Sequence, residues 1–114
     1  MKANFKRNIY FYKQYFHDFF SSQTKDVQKK INWTLELIMT LERVPSKFFS
    51  YLPGIDGLYE IRVEVGNNIF RIFSFFDEGN LVILLNGFQK KTQKTPTGEI
   101  DLAEKIKKEY FNEK

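Results

Sequence analysis

The chain has 114 residues, no Cys, a single His and a net charge of +4, which excludes disulfides and thiol chemistry and argues against a histidine-built metal site. A hydrophobic content of 42% with thirteen Phe suffices for one core, so the sequence predicts one domain over 1–114 and excludes a disordered chain. Lys6, Arg7, Lys13 and Asp18 interrupt the first thirty residues, leaving no signal-peptide core, and no apolar run nears the roughly eighteen residues of a membrane span. A soluble cytoplasmic protein with no membrane partner is expected, and its basic excess suits a polyanionic partner or plain solubility equally well.

The elements follow in chain order. Residues 5–12 (FKRNIYFY) alternate with period two, placing Phe5, Ile9 and Phe11 on one side with Arg7 the exception, and predict a strand. KQYFHDFF carries Tyr15, Phe16, Phe19 and Phe20 at helical spacing. A longer helix is expected from Thr24, its cap, to Val44, with Val27, Ile31, Leu35, Ile38 and Leu41 as its stripe and Pro45 as its stop. These two helices form a hairpin. Three strands follow at 58–65, 69–76 and 80–88, the last with a continuous apolar run that suits a central position. A final helix should begin at a Thr97 cap, carry Glu99 and Asp101 in its first turn, and bury Ile100, Ala103, Ile106 and Tyr110. The fold class is α+β: a two-layer domain with an N-terminal strand, a helical hairpin, a three-stranded antiparallel meander and a C-terminal helix.

Strand parity indicates what the sheet displays. With Asn67-Asn68 as a two-residue turn, Val63 faces Ile72, and Ile61, Val63, Val65, Phe70, Ile72 and Phe76 share one face. Glu60, Arg62, Glu64, Arg71 and Phe73 take the other. A slip of one residue would bury Arg71 among Val63 and Ile61, so the apolar pattern selects this parity. With Glu78-Gly79 as the next turn, Asn86 falls opposite Arg71, and Phe88 and Lys90 follow on the same face. The helices should cover the apolar face and leave Arg62, Arg71, Asn86, Phe88 and Lys90 open. Cations interleaved with a ring suit RNA, although Arg62 between Glu60 and Glu64 also fits an ordinary charged sheet surface.

The segments LYEIR (58–62), FRIF (70–73) and LLNGFQKKTQKTP (84–96), followed by a helix, resemble the RelE/HigB toxin superfamily. The phage-derived, HigB-like branch is the nearest, and the GF-x-KK-x-x-K-TP run is the most specific element of the likeness. The resemblance implies a RelE-like domain and the toxin of a type II toxin–antitoxin system. It implies a metal-independent endoribonuclease with no cofactor, which cuts mRNA on the ribosome and so inhibits translation. Its implied partner is a cognate antitoxin encoded beside it, of helix-turn-helix type in this branch. A ParE-like gyrase inhibitor and a catalytically inactive RNA-binding module are the alternatives.

Carried over by position, Arg71 matches the arginine that grips the scissile phosphate, Arg62 a basic residue of the preceding strand, and Lys90 and Lys91 the basic cluster, which Lys94 extends. The implied chemistry is attack of an RNA 2′-hydroxyl on the adjacent phosphate, which needs a proton acceptor, cations around the phosphorane and a proton donor. Arg71, Arg62, Lys90 and Glu60 are the catalytic candidates; Lys91, Lys94, Asn86 and Phe88 are the candidates for holding RNA. The sequence departs from the family in three places. No His follows the last strand, Glu60 stands where some members carry lysine, and Tyr110 lies too far along the final helix to match the tyrosine some members place after the basic cluster. The general base therefore stays open between Glu60, a lysine with basic neighbours, and no dedicated base. His17 reads as surface or cap, Trp33 as helix packing with antitoxin contact the alternative, and Tyr59 as core.

Overall fold

A computed structural model of the protein describes residues 5–55 and 57–114. The chain runs β1 (Asn8–Phe11), α1 (Tyr15–Ser21), α2 (Lys25–Thr40), β2 (Phe49–Tyr51), β3 (Tyr59–Val65), β4 (Asn68–Asp77), β5 (Leu81–Lys90) and α3 (Thr97–Asn112). The strands form one five-stranded sheet in the order β1-β5-β4-β3-β2, with β1 parallel to β5 and the other pairs antiparallel. Among the described residues, no helix is long and apolar enough to cross a membrane.

The expected elements are present, and their ends differ for identifiable reasons. Thr24 caps α2 by accepting from the Val27 amide. The helix stops at Thr40, before Pro45 is reached, and Leu41 is extended and exposed. Arg7 explains this end. Its Nη1 donates to the carbonyls of Ile38 (3.0 Å) and Leu41 (2.7 Å), and its Nη2 to that of Glu42 (2.9 Å). The residue that broke the alternation of the first strand thus satisfies carbonyls that a helix C-terminus leaves orphaned. α3 takes Pro96 as its N-cap, so Thr97 is the first helical residue and its side chain makes no cap. The strand β2 was not anticipated; it adds three residues to the edge of the meander, pairing Phe49 with Ile61 and Tyr51 with Tyr59.

Two apolar clusters sit on opposite faces of the sheet. On one face Phe16 of α1 and Val27, Ile31, Leu35 and Ile38 of α2 pack on Ile61, Val63, Phe70, Ile72, Val82 and Leu84. On the other, Ala103 and Ile106 of α3 pack on Leu58, Phe73, Phe75, Ile83, Leu85 and Phe88. The α+β class stands, with α3 adding a layer to the two that were expected. This second cover also accounts for the continuous apolar run of β5, since Val82 and Leu84 face one cluster and Ile83 and Leu85 the other.

α3 is held at both ends by polar contacts. At its start, Asn86 Nδ2 donates to the Glu99 carbonyl (3.1 Å) and to Glu99 Oε1 (3.0 Å). At its far end, Tyr110 donates to Asp77 (2.6 Å) and Tyr12 to Glu113 (2.8 Å), and Lys13 pairs with Glu109 and Glu113. Burial and the carboxylate hydrogen bonds push the Tyr12 and Tyr110 phenols up to about 12.

Candidate active site

The β3–β4 turn is Gly66-Asn67, one residue earlier than expected, because glycine takes the positive φ (+60°) without steric cost. The pairing therefore shifts by two residues, which preserves every side-chain face. Val63 opposes Phe70, Ile61 opposes Ile72, and Arg62 lies directly opposite Arg71. Both arginines project from the face opposite the α1–α2 hairpin. Like charges directly across a ladder repel. Glu60 and Glu64, at the alternate positions of β3, supply the compensating charge on the same face.

Glu60 links the arginines. Its Oε1 is 3.9 Å from Arg62 Nε and its Oε2 is 3.9 Å from Arg71 Nε, distances of ion pairing without a hydrogen bond. Arg71 Nη1 donates to the Phe70 carbonyl at 3.0 Å. Arg71 Nε and Glu60 Oε2 are both buried and have no hydrogen-bond partner, so a donor and an acceptor of opposite charge face each other with unused capacity. Burial first, and the Arg62 guanidinium second, lower the Arg71 pKa, with Glu60 and Glu64 acting the other way; arginine's high ordinary value keeps the group charged in neutral solution.

Three expectations about this face are corrected. Arg71 is only 3% exposed and not open to solvent, whereas the Arg62 side chain is 37% exposed. Phe88, expected as a free stacking surface, is 8% exposed, pairs with Arg71 in the ladder and packs against Phe73 at 5.4 Å between rings. Asn86, expected opposite Arg71, is 5% exposed and is spent on Glu99. The physical causes are a three-residue turn, a bulge and a helix. Asp77 pairs with Leu81, so the turn is Glu78-Gly79-Asn80. Between Ile72 and Ser74 the register then shifts, so that Leu85 and Asn86 together span the place of Phe73. α3 docks on the surface so formed.

The lysines remain outward. Lys90 ends β5 on the Arg71 side of the sheet, half-buried, and Lys91 and Lys94 follow on an exposed loop. None of the three makes an ion pair among the described residues. The neighbouring Gly87 acts in packing. A Cβ there would lie 2.5–2.8 Å from the Phe19 ring, so the strand and α1 approach this closely only with glycine between them. His17 is exposed, Tyr59 packs among Phe49, Tyr51 and Phe76, and Trp33 is 44% exposed against Phe48. Among the described residues no group of His, Cys, Asp and Glu has the arrangement of a metal site.

A family profile described as "Phage derived protein Gp49-like (DUF891)" matches residues 18–108, which takes in α2, the whole meander and most of α3. The chain belongs to the Gp49-like family of phage-derived proteins. Among solved structures it is similar to the archaeal RelE–RelB complex from Pyrococcus horikoshii OT3, with 18% identity, a TM-score of 0.53, and coverage of 78% of this chain and 98% of that one. The Gp49-like chain thus has the RelE-like fold that its strand motifs suggested. No curated protein matches it.

Parity did not reach the residues of the Gp49-like chain that depend on β2. Ser50 pairs with Glu60, and Phe48 takes the Arg62 amide through its carbonyl at 2.8 Å. The signal for them was the β-forming FFSY run between Pro45 and Pro53, short enough to pass for loop.

Proposed function

We propose that this protein is the toxin of a type II toxin–antitoxin pair and acts as an endoribonuclease on mRNA held by the ribosome. The carrying observation is the Arg62–Glu60–Arg71 constellation: two guanidinium groups on either side of one carboxylate, with Arg71 Nε and Glu60 Oε2 buried and without a hydrogen-bond partner. Membership of the Gp49-like family and the RelE-like fold support the toxin class, and the RelE–RelB complex supports a protein antitoxin as partner.

In this reading Arg62, the exposed member, holds the scissile phosphate, and Arg71 adds a second positive charge from the drier side, where charge interacts more strongly. Glu60 accepts the 2′-hydroxyl proton as the 2′-oxygen bonds to phosphorus. The bond from phosphorus to the 5′-oxygen breaks, and the Lys90 ammonium returns a proton to the leaving oxygen. The products are a 2′,3′-cyclic phosphate and a 5′-hydroxyl. Lys91 and Lys94 hold flanking phosphates, for which an exposed loop is sufficient.

The test is primer extension on an mRNA translated in the presence of the purified chain, with untranslated mRNA as control. Cleavage confined to the translated message, and growth arrest relieved by co-expressing the product of the adjacent reading frame, are the expected results. An intact message together with harmless expression refutes the proposal.

A further inference from the structure

Beside the arginines the sheet has an open edge. β2 pairs only with Tyr59, Glu60 and Ile61, so on the side away from β4 the rest of β3 runs on without a neighbouring strand. Here α2 and the segment entering β2 enclose a groove of about 460 Å³ lined by Lys30, Trp33, Lys47, Phe48, Arg62 and Glu64. Trp33 and Phe48 meet edge to face at 5.3 Å and 81°. Each ring carries a cation, Lys30 Nζ at 4.6 Å from the Trp33 centroid and Lys47 Nζ at 5.1 Å from that of Phe48. An adjoining recess brings in Lys29 and Asp26, giving four cations against two carboxylates along the groove.

Arg62 belongs to both places. Its side chain lines this groove while its Nε lies 3.9 Å from Glu60. The groove therefore opens directly off the constellation proposed to cut RNA. Trp33 is 44% exposed although it packs on Phe48, so part of the indole stays open to solvent beside Lys30, at the mouth of a cationic groove.

We propose that this groove is a nucleotide subsite that takes an unpaired base of single-stranded RNA flanking the cleaved phosphate. The base stacks on Trp33, and Lys30, Lys47 and Arg62 hold the phosphates on either side of it. The cations now over the rings do not bar entry, since a lysine on an exposed ring is held less firmly than a stacked base, and its flexible stem swings onto a phosphate. Stacking reads the π-face that every base shares, so the subsite has little sequence preference. An acidic peptide would satisfy the cations, but it would leave the exposed indole without a flat partner. This inference rests on the RNA-cleaving reading above, and its test separates the two.

Trp33 is the sole tryptophan, so its fluorescence reports on this groove. A short oligouridylate with 2′-O-methyl riboses binds without being cut, because the attacking hydroxyl is blocked. Titrated into the full wild-type chain, it should quench Trp33 saturably, and raised salt should weaken the binding. With labelled oligonucleotide, anisotropy should show affinity lost by about tenfold or more in Trp33→Ala and largely kept in Trp33→Phe, which retains a stacking ring. Lys30→Ala and Lys47→Ala, which leave the indole in place, should each lower the slope of log affinity against log salt by about 0.7, the contribution of one phosphate contact on a single strand. Absence of quenching, or quenching that neither salt nor these lysines affect, overturns the subsite. So does quenching by an acidic peptide but not by RNA, which would make the groove a protein-binding surface. Quenching without cleavage of translated mRNA keeps the subsite and refutes the nuclease; no quenching in the wild-type chain, together with cleavage that stays normal in Trp33→Ala, does the reverse.

Discussion

Replacing Arg71 by methionine separates its chemical role from its structural one, because methionine keeps a long, buried side chain and discards the charge. Arg62 is the residue directly paired with Arg71, and directly paired residues lie about 5 Å apart. A phosphate on Arg62 is taken to lie about 6–7 Å from the Arg71 guanidinium, a little beyond that backbone spacing. At an effective dielectric of about 20, one unit charge at that distance contributes about 2.5 kcal/mol. The phosphorane gains one negative charge over the ground state, so this amount appears in the barrier and Arg71→Met should slow cleavage on the order of fiftyfold to a hundredfold. The effect on stability is small. Burial and the repulsion from Arg62 each oppose the charge on Arg71 more than Glu60, at 3.9 Å, favours it, so discarding the charge should shift Tm little and the chain stays folded. Single-turnover cleavage on translating ribosomes, with a thermal melt of the same sample, gives both quantities. Cleavage within about fivefold of wild type in a folded Arg71→Met chain would refute the charge-stabilising role.

Gly87→Ala should destabilise by about 1–3 kcal/mol in urea unfolding, since its methyl would meet the Phe19 ring at 2.5–2.8 Å, and Phe19→Leu should recover part of the loss. The α3 anchor should respond at both ends of the pH scale. The folded-state pKa values of Asp77, Glu109 and Glu113 are lowered, chiefly by hydrogen bonds from Tyr110 to Asp77 and from Lys13 to the two glutamates, so their contribution is full above the ordinary carboxylate range and lost as pH falls through the depressed values. Tyr12 and Tyr110 are raised from 10.0 to about 12, so their contribution is full below 10.0 and lost between there and about 12. Hydrogen exchange across α3 should accelerate in both windows before the amides of β4 and β5 do; uniform acceleration over the whole sheet would show that the anchor is not a separate unit.

The sequence by itself determined the order of the elements other than β2, and the faces of β3 and β4 on either side of their turn. Alternation is a property of the backbone within a few residues, and Arg71 cannot join Ile61 and Val63 without burying its charge in the core under α2. That is why the pairing of Arg62 with the Arg71 side of the sheet survived a turn placed one residue off: the register moved by two, and a shift of two preserves parity. The motifs carried the RelE-like likeness for the same reason, being runs of neighbours within single strands.

Tertiary structure alone decided how deep the site lies. α3 sits where its own stripe finds Phe73, Phe75 and Phe88, and nothing near Arg71 in sequence indicates that a helix from the chain's end will cover those rings. Asn86 changed from a candidate phosphate ligand into the fastening of α3 because one bulge displaced it in the ladder, a distortion set by the mismatch between a three-residue turn and the register beyond it. Arg7 and the α2 carbonyls it caps are more than thirty residues apart, and β2 depends on β3 for its hydrogen bonds. Side-chain direction is fixed locally. Burial, capping and the charge felt at Arg71 depend on which distant segment docks there, and that follows from the packing of the whole chain.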